Sequence, residues 1–89
     1  MIYIIAVRFS GGNGHEHIIK FKWENSEDSK IGETFKDEMV KFVRNNPKTT
    51  FVKDSKGKVE VFVVDSISPY LRTKADNRYT DNLLYLPTF

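Results

Sequence analysis

Cysteine is absent from this chain. That removes disulfides, thiolate zinc sites and cysteine nucleophiles together. Small secreted domains usually depend on such cross-links, so the expected setting is cytoplasmic. Long apolar runs are also missing. The longest, Ile2–Val7, falls far short of the ~20 residues that span a bilayer. It has neither the preceding basic segment nor the small-residue cleavage site of a secretory signal, so no membrane association is expected. Net charge is only +2, which permits attraction to polyanions without requiring it. Histidine occurs twice, too rarely for a metal site built on imidazole alone.

What is present is an ordinary globular balance, 39% hydrophobic and 29% charged over 89 residues, enough for one domain with one modest core. Ile2–Val7 is β-branched and apolar on both faces, which predicts a central strand. His17–Trp23 alternates, with Ile19, Phe21 and Trp23 on one face and Ile18, Lys20 and Lys22 on the other. The two runs read as a hairpin with an enlarged loop, followed by a solvated turn at Asn25–Lys30. Thr34 is placed as a helix N-cap with Asp37 three residues on. Behind it Phe35, Met39, Phe42 and Val43 keep helical spacing until Asn45-Asn46-Pro47 ends the run. Strands are expected at Thr49–Lys53 and Lys58–Val64, joined by the tight turn Asp54-Ser55-Lys56-Gly57.

The expected fold is therefore α+β, a small antiparallel ββαββ sheet with one helix across it. Within a single domain of residues 1–89, residues 1–65 form that core. Residues 66–89 form an ordered but irregular C-terminal wrap, with a short extended piece at Leu83–Leu86, folded back near the glycine loop.

The stretch Ser10-Gly11-Gly12-Asn13-Gly14-His15-Glu16-His17 holds three of five glycines and both histidines. Glycine serves where the backbone turns sharply or approaches closely, and histidine transfers protons or binds metal near neutral pH. A strand follows this loop, so the helix-dipole mechanism of phosphate loops does not apply. A small nest of N–H groups for an anion stays open. So does a histidine-dependent metal site in which carboxylates join His15 and His17. Hydrolysis would need Ser10 as nucleophile, but Ser10 precedes two glycines and occupies no strand-to-helix elbow. The nucleic-acid signal is weak: the helix is expected to cover Phe21 and Trp23, leaving Lys20 and Lys22, with Lys53 or Lys58, as a basic patch on the other face.

The glycine–histidine stretch, with Tyr70-Leu71-Arg72-Thr73-x-Ala75-Asp76 and Asp81-Asn82-Leu83-Leu84-x-Leu86-Pro87-x-Phe89, resembles a bacterial and phage family, domain of unknown function 3892. The two motifs lie at opposite ends, so the likeness spans nearly the whole chain. It implies a small stand-alone domain and carries no activity over. The resemblance implies that His15, Glu16, His17, Arg72, Thr73, Asp76, Asp81 and Asn82 belong to the shared polar pattern.

The expected function is a non-enzymatic binding module without cofactor. Its polar pocket, for a small anionic or nucleotide-like ligand, is drawn from Ser10, Asn13, His15, Glu16, His17, Arg72, Thr73, Asp76, Asp81 and Asn82. Arg72 has two readings there, a fork aimed at the ligand or a carboxylate partner pinning the tail. The alternative is a protein-interaction or oligomerising module.

Overall fold

A computed structural model describes all residues, 1–89. It contains seven strands in one sheet: β1 (Ile2–Phe9), β2 (Ile18–Asn25), β3 (Ile31–Phe35), β4 (Thr50–Asp54), β5 (Gly57–Val64), β6 (Tyr70–Ala75) and β7 (Arg78–Thr80). One helix, α1 (Lys36–Asn45), connects β3 to β4. The spatial order is β3-β2-β1-β4-β5-β6-β7. Every pairing is antiparallel except β1 with β4, which run parallel over Ile2–Thr50 and Tyr3–Phe51. The architecture is a mixed seven-stranded sheet with a single short helix. This corrects the ββαββ expectation.

Three strands account for the difference. Ile31-Gly32-Glu33-Thr34-Phe35 is an edge strand, β3, rather than the approach to a helix. Thr34 therefore does not cap α1. Phe35 occupies that position without a side-chain hydrogen bond, and Thr34 Oγ1 instead accepts from Trp23 Nε1 at 2.9 Å. The tail supplies β6 and β7, so it extends the sheet instead of wrapping it irregularly. These two strands are joined through Asp76 and Asn77, both at positive φ (52° and 64°). Aspartate and asparagine tolerate that region, which makes a two-residue hairpin turn without glycine. Leu83–Leu86 is not extended, because Asn82–Tyr85 form one turn of 3-10 helix.

Two register shifts set which side chains reach the core. In the β1–β2 ladder, Ile4 pairs with Trp23 and Ala6 with Lys22, leaving Ile5 as the extra residue. The bulge switches the phase of β1, so Ile4 and Val7 both point into the core and both are buried. A second shift lies between Arg8–Lys20 and Phe9–Ile18, and it turns Ile18 inward with Phe21. Strict alternation would place Ile18 with the lysines. The core forms between the sheet and Met39, Val40 and Val43 of α1, with Val52, Val59, Val61 and Leu71 completing it.

β1 and β4 pair only at their starts. Beyond that point the C-terminal segment takes the open edge of β1: Val7 N–H donates to Pro87 and Phe89 N–H donates back to Val7. Leu83 enters the core from this segment and is fully buried. The tail is thus held by the first strand, and it is carried past the glycine loop.

Candidate functional site

Two groups of side chains carry chemistry. The first lies where the glycine loop meets the tail. Gly11 takes a positive φ of 76°, and Ser10 N–H donates to the His17 carbonyl, closing the loop. His15–His17 form one turn of 3-10 helix. His15 is buried, and its Nε2 lies 3.7 Å from Asp81 Oδ1, too far for a hydrogen bond. Asp81 also accepts from Arg72 Nη2 at 3.1 Å, and Thr73 and Thr80 share a hydroxyl–hydroxyl hydrogen bond of 2.6 Å beside them. Asn82 Oδ1 lies 3.5 Å from Thr73 Oγ1.

The structure therefore brings together His15, Arg72, Thr73, Asp81 and Asn82. It does not bring the others to them. Glu16 points outward, with its carboxylate 3.4 Å from His17 Nδ1. That nitrogen accepts from Gly14 N–H, so His17 braces its own loop. Ser10 and Asn13 are exposed, and Asp76 sits in the β6–β7 turn. No group of three or more His, Asp or Glu residues is arranged to hold a metal ion.

Arg72 turns one end of its fork to the protein, while its buried Nε has no hydrogen-bond partner. Its Nη2 meets Asp81 and the Thr80 carbonyl, and its guanidinium lies 5.0 Å from the centre of the Tyr79 ring. The four principal surface recesses are lined by other residues. The cluster's hydrogen bonds run within the tail, and the glycine loop meets the tail where buried His15 approaches Asp81 without bonding to it.

Burial, and after it the Arg72 charge, hold the His15 pKa below its ordinary value, against smaller upward pulls from Asp81 and Glu16. The sign follows from linkage. On acidification the unfolded chain takes up this proton near pH ~6.5, before the folded one does. Stability from this group is complete above that pH and declines as pH falls towards the folded-state pKa. The His15→Gln variant is expected to flatten this acid limb; urea midpoints at neutral and mildly acidic pH measure it. An unchanged slope would remove His15 as its source.

The second group occupies the sheet face that α1 leaves open. Lys20 and Lys22 of β2, Arg8 of β1, Lys53 of β4, Lys58 of β5, and Arg72 and Lys74 of β6 all project there. Between them lie rings, with cations 4.4–5.9 Å from ring centres: Lys20 over Phe35, Arg8 and Lys22 over Phe89, Lys53 over Tyr3, Lys58 over Phe51, and Lys74 between Phe62 and Tyr79. Glu24, Glu33 and Glu60 are the glutamates sharing the face, and Lys20 pairs with Glu33 at 3.2 Å. Cations therefore outnumber carboxylates across the whole sheet.

The four lysines of the expected basic patch lie on this face, with Phe21 and Trp23 turned to the helix side. The six rings escaped sequence reasoning. Their signal was a two-residue spacing with charge, Phe51-x-Lys53 and Lys58-x-Glu60-x-Phe62.

A seven-stranded mixed sheet with one helix packed on one face and the other face open defines a small two-layer domain. Residues 3–87 match the family described as Protein of unknown function (DUF3892), and the chain belongs to that family. No curated protein and no solved structure matches it. No helix is long and apolar enough to cross a membrane.

Proposed function

We propose that this domain is a non-enzymatic binding module whose working surface is the open sheet face, and that its ligand is polyanionic. One observation carries the reading. Besides the Asp81-paired Arg72, six basic side chains stand on the face free of the helix, each with its charged head against a ring. Each such cation–ring contact contributes ~0.5–1 kcal/mol at an exposed site, enough to pre-order a lysine without removing its charge from water. A ligand with repeated negative charges then meets cations spaced by the strand repeat of ~4.8 Å.

The loop–tail cluster gives less support to a pocket for a small anion. The Arg72 fork faces a carboxylate already present, and that carboxylate would repel a second anion. Catalysis finds no support either, since Ser10 makes no hydrogen bond to His15 or His17 through its hydroxyl.

The test is titration with inorganic polyphosphate. The wild-type chain should bind it, with affinity falling as salt rises. The combined variant Lys20→Gln, Lys22→Gln, Lys53→Gln and Lys58→Gln should bind about tenfold more weakly and show a shallower salt dependence. All four side chains lie on the face rather than in the core, so thermal stability should stay close to wild type. Equal binding by the two proteins would overturn the reading.

A further inference from the structure

The platform reading leaves the polyanion unnamed, and the rings carry the choice further. We infer that the occupant is single-stranded nucleic acid, its phosphates on the lysine and arginine heads and its bases stacked on the exposed rings. The inference rests on the platform reading and deepens it.

Charge complementarity alone would fit any polyanion. The rings distinguish among them. Phe35 is 61% exposed at one edge of the sheet and Tyr79 is 49% exposed near the other, while Tyr3, Phe62 and Phe89 are half-buried between them. Large rings exposed along the cationic track serve polyphosphate or an acidic peptide only by ordering the cations, and make no contact of their own with either. Unstacked bases gain from each of them, because every base has a π-face.

A duplex gains little here, since its bases are stacked internally. Its grooves admit a helix or a two-stranded ribbon, not the flat of a seven-stranded sheet. The track from β3 to β7 crosses six strand spacings, ~29 Å at ~4.8 Å each, with room for about five nucleotides.

One place on the track is shaped for a single base. A recess of about 170 Å³ opens beside Tyr3, Ile5, Glu24, Lys53 and Leu86. It offers a ring for stacking, a cation for the adjoining phosphate and a carboxylate that can accept from an exocyclic amino group. Glutamate accepts in this way from cytosine N4. With a base seated there, Glu24 favours amino-bearing bases over thymine.

The decisive measurement is fluorescence anisotropy on the full chain. The probes are labelled oligothymidylate and oligocytidylate of about twelve nucleotides, a duplex of similar length, and inorganic polyphosphate and poly-glutamate as competitors. Single strands should bind more tightly than duplex, and cytidylate more tightly than thymidylate. The double variant Phe35→Leu, Tyr79→Leu should lose about tenfold on single strands and clearly less on polyphosphate, which loses only the ordering of Lys20 and Lys74. Glu24→Gln should narrow the cytidylate preference. Lys41→Gln, on the outer side of α1, should match wild type throughout.

Equal binding of duplex and single strand, or no loss in the ring variant, overturns the inference and leaves the platform reading standing. Competition by poly-glutamate as strong as by polyphosphate, with single strands bound no better, points to an acidic protein and overturns it too. Failure of every polyanion to bind overturns both.

Discussion

The Leu83→Ala variant is expected to lose about 3–4 kcal/mol of folding stability, a large share of what a domain of this size possesses. Leu83 lies close to the C-terminal Phe89, where chains are commonly frayed. Yet its side chain is fully buried with Ile4, Val7, Val52 and Leu71. The cause lies in the sheet. β1 and β4 pair over two residues and then part, so a gap would open through the middle of the core. The segment after β7 fills it, with the 3-10 turn at Asn82–Tyr85 delivering Leu83 and the bonds of Val7 to Pro87 and Phe89 fixing the segment behind it.

Alanine at this position removes the apolar contacts and leaves a cavity that the sheet cannot close without moving β1. The melting temperature should drop by roughly 15–25 °C, with the urea m-value unchanged. A loss below ~1 kcal/mol would mean that the tail is peripheral to the core.

That burial also explains what the sequence did and did not disclose. β1, β2, α1, β4 and β5 are legible because each carries a long enough apolar pattern, and the stop at Asn45-Asn46-Pro47 is unambiguous. There Asn46 donates through its side-chain amide to the Phe42 carbonyl. β3 is not legible, because a five-residue edge strand with a glycine and only two large apolar residues gives no period to read. β6 and β7 are hidden for another reason. Their turn uses Asp76-Asn77 in place of a glycine pair, and β6 alternates Leu71 and Thr73 inward, so one of its two core positions is a threonine.

The nearness of loop and tail was legible, in that His15, Arg72 and Asp81 do meet. Their pairing was not, because sequence alone cannot say whether an arginine faces a ligand or a carboxylate. The open face was half legible. Lysine alternation on β2 identified Lys20 and Lys22 but not Arg8, Arg72 or Lys74 as members of the face, and the rings come from six different segments that only strand order aligns.

The Gly32→Val substitution is expected to cost about 2–3 kcal/mol, although valine suits strands better than glycine does. On β3, Gly32 pairs with Trp23 of β2, and the six-membered ring of the indole packs against the glycine. A Cβ at Gly32 would run into Trp23 Cζ2 and stand 2.8 Å from Cε2 and Cη2, so the ring must move. Space beside it allows the move, but at a cost. Trp23 Nε1 donates to Thr34 Oγ1, and the indole forms one wall of a recess of about 270 Å³ with Ile2, Met39 and Phe42.

Displacing the ring therefore breaks a hydrogen bond and strips apolar contact from the start of β1 and from α1 together. The lost contact outweighs the backbone advantage of a branched residue, which is ~1 kcal/mol at most. Trp23 is the only tryptophan, so the variant reports on itself. Its emission should shift to the red as the ring enters water, in step with the lower unfolding midpoint. A stabilised Gly32→Val protein with unchanged emission would show that the indole does not rest on Gly32, and that β3 is held to β2 by its backbone alone.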